Sequence, residues 1–393
     1  MRSYALPDPC RIPVVAAAFR TPVGRLDGAL SAIEPASLAA PLIRRILAET
    51  SLAPEAVDDV ILGNAANSAG NLARLAALEA GLPVSVPGMT VDRQCGSGLE
   101  AIVLAARLVQ AGAGRFYLAG GTESTSRAHL RLRPPAEPGG TPEPVRRARM
   151  APDAIGDPDM GIAAENVAAH AGIGRARQDA FALESHRRAV AAGKAGRFDR
   201  EIVPIDTPAG RVRHDECPRE NTSLERLAAL APVFRPDGTV TAGNACPVND
   251  GASVVLVTSL AEAERLGLTV LMEVVDSAVA GVDPNLLGLG PVPAMARLAK
   301  RNPGLDAAKI PFIEFNEAFA AQVLASLDAL GVDPAAVNRD GGALALGHPY
   351  GASGAILVTR LFAQMRQADA GTEGLATMGI GGGMGIATLF RKV

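Results

Sequence analysis

Apolar positions along this chain come in short blocks, most of them closed by a glycine, a proline or a charge. Residues 12–18 form an apolar run ended by Arg20-Thr21-Pro22, which predicts a strand followed by a loop. Residues 37–49 carry helical periodicity, and 57–63 reads as a strand. Residues 87–92 lead into a glycine-bearing turn at Cys95; 99–111 then predicts an apolar helix and 116–119 a strand. Strands and helices alternating at this length predict a parallel sheet covered by helices. From about 124 to 250 the chain is richer in Arg, Pro and Asp. It predicts helices over 160–171 and 177–192 but few buried strands, so it reads as a layer inserted over the sheet. Buried-strand character returns at 251–257.

The last third repeats the logic of the first. Residues 52–65 line up with 305–318, each a helix exit, a strand and an Asn-containing turn. Val91-Asp92-Arg93 recurs as Val337-Asn338-Arg339, and 116–121 recurs as 375–382. Each match is weak, but all occur in one order, which predicts two halves of one βα topology with the middle segment inserted into the first. The expected boundaries are 1–123 with 251–271 for the first half, 124–250 for the insert and 272–393 for the second half. A site between such halves would draw turns from both.

Composition narrows the function classes. In 393 residues 48% are hydrophobic and the formal net charge is −3, which is globular composition with no basic excess pointing to nucleic acid. Charges or glycines interrupt every apolar run short of a membrane span, and the opening residues lack a signal-peptide core. The four cysteines, Cys10, Cys95, Cys217 and Cys246, are far apart, with neither C-x-x-C nor zinc spacing. A reduced, cytoplasmic protein is expected, its cysteines reactive rather than paired.

Four turns could carry chemistry. Cys95 lies in Val91-Asp92-Arg93-Gln94-Cys95-Gly96-Ser97-Gly98, between a strand and a helix. A helix N-terminus there would favour thiolate and lower its pKa; a buried structural cysteine is the other reading. His348, in Gly347-His348-Pro349-Tyr350-Gly351-Ala352-Ser353-Gly354, could take a thiol proton and polarise a carbonyl. Asn316, in Asn316-Glu317-Ala318-Phe319, could hold a water or donate to an oxyanion. Gly379-Ile380-Gly381-Gly382-Gly383-Met384-Gly385 does not fit a dinucleotide fingerprint and offers bare N–H groups instead.

Together these turns resemble the thiolase family over nearly the whole chain, including Met160 to Ala168 and Gly238 to Ala245. The resemblance implies an α/β fold, thiolase-like duplicated βαβ halves in a five-layer αβαβα sandwich, with an inserted loop domain that binds coenzyme A. It implies ping-pong acyl transfer that cleaves or forms 3-oxoacyl-CoA. Cys95 would be the nucleophile. His348 and a water on Asn316 would form one oxyanion hole, and the N–H groups of Cys95 and Gly381 the other. Met160, Phe319, Ala245 and Cys246 would line the coenzyme A path. Arg127, Arg131, Arg133, Arg146, Arg147 and Arg149 could meet the nucleotide phosphates, or belong to a solvated or subunit-contacting loop. The implied partners are acyl-CoA and coenzyme A as substrates, with no permanently bound cofactor, no metal, and a homodimer or homotetramer.

Departures from the family pattern sharpen the question. Most thiolases carry a second reactive cysteine directly before Ile-Gly-Gly-Gly; this chain has Gly379. That cysteine exchanges the proton of the acceptor's α-carbon, which glycine cannot do. Cys246 stands where many members have serine, and is the candidate substitute acid/base. Asp159 replaces a histidine of several biosynthetic members, and Leu230-Ala231-Pro232 lacks a frequent arginine. Gly379 is explained by three readings: Cys246 or a water on His348 serves instead; acyl groups move without a carbanion, or from a decarboxylating donor; or glycine was introduced into an ordinary member. A thioester hydrolase and a degenerate partner subunit are the rival functions. Asp153, Asp157 and Asp159 read as a solvated loop before a metal site. His129, His170, His186, His214, Cys10 and Cys217 read as structural or surface positions, and Glu317 as a support of its turn.

Overall fold

The structure, a computed structural model, describes residues 8–67, 70–145 and 147–393. Nine strands carry the argument. The first half holds β1 (Pro13–Arg20), β2 (Asp59–Gly63), β3 (Gly88–Val91), β4 (Phe116–Ser124) and β5 (Asn249–Ser259). The second holds β6 (Met272–Gly281), β7 (Phe312–Phe315), β8 (Glu373–Ile380) and β9 (Met384–Lys392). Their order is β7-β8-β9-β6-β1-β5-β4-β2-β3, with the two-residue strand Gly24–Arg25 added on β5. β2 runs parallel to β3 and β4, β7 runs parallel to β8, and the remaining neighbours are antiparallel.

The halves are duplicates in this order. β3-β2-β4-β5-β1 corresponds to a bridge at Val337 followed by β7-β8-β9-β6, because Ile313 pairs in parallel with Val337 as Gly63 does with Val91. The expected repeat of Val91-Asp92-Arg93 in Val337-Asn338-Arg339 is therefore a structural one. Both turns also pass through left-handed backbone, Gln94 at φ 48° and Asn338 at φ 49°.

Eight helices matter: α1 (Pro35–Thr50), α2 (Leu72–Glu79), α3 (Ser97–Ala111), α4 (Met160–Ala171), α5 (Arg175–Lys194), α6 (Pro291–Arg301), α7 (Ala320–Leu330) and α8 (Tyr350–Met365). Alternation along the strands sorts them into layers. On β5, Val254 and Leu256 face α1 and α2, while Val255 and Val257 face α3 and α8. On β9, Ile386 and Phe390 face α3 and α8 as well, while Ala387 and Leu389 face α6 and α7. The result is five layers, with α3 and α8 sandwiched between the two halves of the sheet. Helices α4 and α5 lie in the segment between β4 and β5.

The two central helices meet at their first turns. A Cβ on Gly98 would sit 2.6 Å from the Gly351 carbonyl oxygen, and one on Gly354 would sit 2.5 Å from the Leu99 nitrogen. Only glycine permits this backbone approach, and it sets the start of α3 beside the start of α8.

Candidate active site

That crossing brings Cys95, two residues before α3, and His348, two residues before α8, to the same end of the two helices, where Tyr350 packs on His348 and senses the charge of Cys95. The backbone N–H of Gly381 hydrogen-bonds the Cys95 sulfur. Gly381 follows the buried Ile380 at the end of β8, and the sulfurs of Met150 and Met160 crowd its Cα, so Met160 flanks the same pocket.

His348 is buried, and its two ring nitrogens and its backbone N–H each have a polar neighbour. Its backbone N–H donates to Asn249 Oδ1 at 2.8 Å. Its Nδ1 lies 2.6 Å from Ser353 Oγ, and its Nε2 lies 3.5 Å from Asn316 Nδ2. Ser353 Oγ also donates to the Pro349 carbonyl at 3.1 Å. With that hydroxyl proton committed to Pro349, Nδ1–H donates to Ser353, and the Nε2 lone pair faces Asn316 and the pocket. Burial pushes the imidazole pKa down to about 4, so at neutral pH it is an uncharged base.

Burial also reverses one expectation. A helix N-terminus was expected to lower the Cys95 pKa. Loss of hydration instead pushes the thiol up to about 11, with the Gly381 N–H pulling the other way and the charges of Glu123 and Asp92 adding to the rise. Desolvation of the anion outweighs the dipole here. The resting pair is a neutral thiol and a neutral imidazole.

Cys246 joins the same pocket. Its thiol is pushed up by burial and then by the charge of Cys95, so the two sulfurs sense each other. Both keep some surface exposure. The Cys246 N–H donates to Ala318 O at 2.9 Å, and Ala245 pairs with Phe319 in an antiparallel bridge. Phe319 stands edge-on to Phe234 at 6.3 Å. Met160, Ala245, Cys246 and Phe319 thus converge with Cys95, His348, Asn316 and Gly381.

Four site residues escaped the sequence reading. Tyr350 packs edge-on against His348 at 5.3 Å between ring centroids; its phenol is pushed up by burial and by Cys246, Cys95 and Glu123. Glu123 is buried and accepts from Asn64 Nδ2 (2.8 Å) and from the N–H groups of Ala65 (2.9 Å) and Gly351 (2.9 Å), tying β4 to the first turn of α8. Ser353 and Asn249 fix the imidazole. A hint existed only for Tyr350 and Ser353, which sit inside the histidine motif.

Glu317 is a support, as expected: it accepts from Ser185 Oγ at 2.6 Å, Asn338 Nδ2 at 2.7 Å and Leu344 N at 3.1 Å. His186 is buried and accepts from the Arg219 N–H. The early arginine cluster is largely spent. Arg127 pairs with Glu34, Arg149 with Asp153, and Arg147 with Asp157 and Asp159. Arg131 reaches the Ala66 carbonyl, and Arg146 lies outside the described residues. The three aspartates are therefore arginine partners. Among the described residues no group of three or more His, Cys, Asp or Glu is placed to hold a metal ion, and no helix is long and apolar enough to cross a membrane.

Comparison with known proteins agrees with this geometry. Residues 13–261 match the profile for "Thiolase, N-terminal domain", and 268–392 match "Thiolase, C-terminal domain". The chain is 46% identical over 395 residues to an acetyl-CoA acetyltransferase of Pseudomonas aeruginosa, covering 96% of this chain and 99% of that protein. A crystal structure of the Bacillus anthracis acetyl-CoA acetyltransferase superposes with a TM-score of 0.89 at 37% identity, covering 98% of this chain and 99% of the other.

Proposed function

The chain belongs to the thiolase family and is a thiolase-type acyl-CoA acyltransferase; we propose that it works through an acyl-Cys95 intermediate in a ping-pong cycle. The convergence of Cys95, His348, Asn316 and the Gly381 N–H in one pocket carries this reading. The sulfur attacks a thioester or 3-oxo carbonyl as its proton passes to Nε2 of His348. The Ser353 contact keeps that nitrogen free to accept. The oxyanion is met by the N–H groups of Cys95 and Gly381 in one acyl-transfer step. Protonated His348 and a water on Asn316 meet it in the other. Attack on a thioester releases coenzyme A, which takes the proton from His348, and a second acyl-CoA enters; attack on a 3-oxo carbonyl releases a shortened acyl-CoA, protonated at its α-carbon, and coenzyme A enters to take the acyl group from Cys95.

We assign the pantetheine path to Met160, Ala245, Cys246 and Phe319, and α-carbon proton transfer to Cys246. The thiol of Cys246 is protonated at neutral pH, as an acid that quenches a leaving carbanion must be. Tyr350, whose phenol senses Cys246 and Cys95, is the second proton-bearing group beside that position. A homodimer or homotetramer is proposed as well. The outer edge of the sheet at β3 carries exposed Met89, and Leu75, Leu78 and Val84 are exposed close by in sequence. An apolar edge strand of this kind calls for a covering partner.

Intact-mass screening against a panel of acyl-CoA and 3-oxoacyl-CoA thioesters tests the central reading. An adduct that disappears in Cys95→Ala is expected; an adduct retained in that variant would refute it. Gly379 favours a second reading, acyl transfer or thioester hydrolysis without carbanion chemistry. Deuterium exchange from solvent into the α-carbon of acetyl-CoA separates the two, since only carbanion chemistry produces it.

A further inference from the structure

Away from the Cys95 pocket, a cavity of about 350 Å³ opens between the 197–200 loop, the Arg339-Asp340 turn, the start of β7 and the second half of α8. Five arginines and a single carboxylate, Asp340, line it. Asp340 is already committed to two of the five, Arg197 and Arg360. Arg360 forms the floor: it is 1% exposed, shares its Nη groups between Glu201 and Asp340, and keeps a buried Nε with no partner.

The other three arginines meet no acid. Arg339 donates to the Pro311 carbonyl at 2.7 Å and lies flat over Phe312 at 4.6 Å. Among the described residues Arg200 and Arg366 have neither an ion pair nor a hydrogen bond, and both also border a neighbouring cavity of about 450 Å³. Glu49, Asp199 and Glu201 border the neighbouring cavity, but among the described residues none of them forms an ion pair with Arg200 or Arg366; Glu314, beside Arg360, is bound by Gln364, and burial pushes its pKa up to about 8, so it adds little negative charge at neutral pH. Surface arginines commonly pair or spread apart. Here three guanidiniums without an ion-pair partner among the described residues line one cavity with Arg360, whose buried Nε has no acceptor there, and such a donor carries a desolvation cost until something accepts from it.

We infer that this cavity binds a small anion with two or more linked phosphate groups. Guanidinium forks match phosphate oxygens in pairs, and three forks spread along one cavity suit a chain of linked phosphates. The volume lies at the small end of ligand pockets, which suits a di- or triphosphate chain. The flat Arg339–Phe312 pair offers a stacking face beside it, so a free polyphosphate and a nucleotide share the required chemistry. The site is separate from the reacting thiol. Arg360 and Arg366 lie ten and sixteen residues beyond Tyr350, roughly 15 and 24 Å along α8 and its continuation at a helical rise. The site still touches the catalytic half of the fold, because Asp340 opens the turn that runs on to His348.

Isothermal titration of the full chain with tripolyphosphate at low salt tests the inference. One saturable site is expected, weakening as salt rises. The double variant Arg200→Gln, Arg366→Gln should lose at least about tenfold in affinity, with its melting temperature and its Cys95 acylation unchanged, since neither side chain holds a structural contact. ATP binding about tenfold more tightly than tripolyphosphate identifies a nucleotide as the ligand, and equal affinity identifies the bare chain. Absence of saturable binding, binding unaffected by the double variant, or competitive displacement by coenzyme A would each overturn the inference.

Discussion

Restoring a thiol at position 379 asks the most of the geometry. Gly379 pairs with Gly385 across β8 and β9 and does not need glycine, since its backbone is not left-handed. A Cβ there would meet the Gly288 carbonyl oxygen at 3.4 Å and Gly288 Cα and Leu287 O at 3.5 Å, all ordinary contacts. Positions 379 and 381 share one face of the strand, with Ile380 turned into the core between them, and the Gly381 N–H already reaches Cys95. Gly379→Cys should therefore fold, with stability changed by no more than about 1 kcal/mol, a strand glycine itself being unfavourable by a similar amount. A positioned acid/base contributes roughly 10²–10⁴ in rate where proton transfer limits, or about 3–5 kcal/mol of barrier. Thiolysis of acetoacetyl-CoA under single-turnover conditions measures the gain, with Cys95 acylation by acetyl-CoA as the internal control. If the variant folds and its new thiol titrates, but cleavage is no faster, the pocket already holds a competent proton donor and the reasoning from Gly379 fails. A variant that misfolds would refute the packing argument instead.

Three further outcomes follow from the same pocket. Cys246→Ser should slow carbon–carbon cleavage far more than acylation of Cys95, and Tyr350→Phe run beside it shows which group supplies the proton; equal loss of both steps in Cys246→Ser removes Cys246 from that role. Ser353→Ala should lower the acylation rate by roughly tenfold while costing about 1 kcal/mol of stability, because Nδ1–H loses its acceptor and the tautomer is released; rapid-quench acylation and denaturant melts read the two effects separately. Acid should destabilise the fold through His348 and His186, both pushed down to about 4 by burial. A histidine with a lowered folded pKa takes up its proton first in the unfolded chain. Stability is therefore full above about pH 6.5 and lost as pH falls towards 4, by up to about 3 kcal/mol per residue; urea melts across that range of pH, with His186→Gln reducing the slope, provide the check.

Much of the architecture was legible because burial and period agree. Helix α4 covers the predicted 160–171, and α3 begins two residues before the predicted 99–111. The strand predicted over 57–63 starts at Asp59 instead, since the Asp58 carboxylate leaves the strand register to accept from the N–H groups of Arg115 and Phe116. The duplication was legible from Val91 and Val337 because each pairs in parallel with the strand that precedes it in its half, so the same short segment recurs in the same order. The acids that pair with Arg127, Arg147 and Arg149 were not legible nearby, because they come from Glu34 and from the loop at 153–159. The sign of the Cys95 shift was illegible for a similar reason: a helix start is local, whereas the protein that strips water from the sulfur comes from both halves of the fold. Glu123 and Asn249 enter the site through tertiary contact alone.

The way the two halves are joined has a consequence for heat. Among the described residues the sheet is continuous between them only through Val14–Glu273 and Val15–Met272; their alignment otherwise rests on the packing of α8 against α3 at their crossing and on side-chain hydrogen bonds such as those of Glu123 with Gly351 and Asn249 with His348. A small slip at that crossing would draw the sulfur away from the imidazole while every strand stayed paired. Heating should therefore silence turnover several degrees below the loss of circular dichroism, and the silenced protein should recover on cooling.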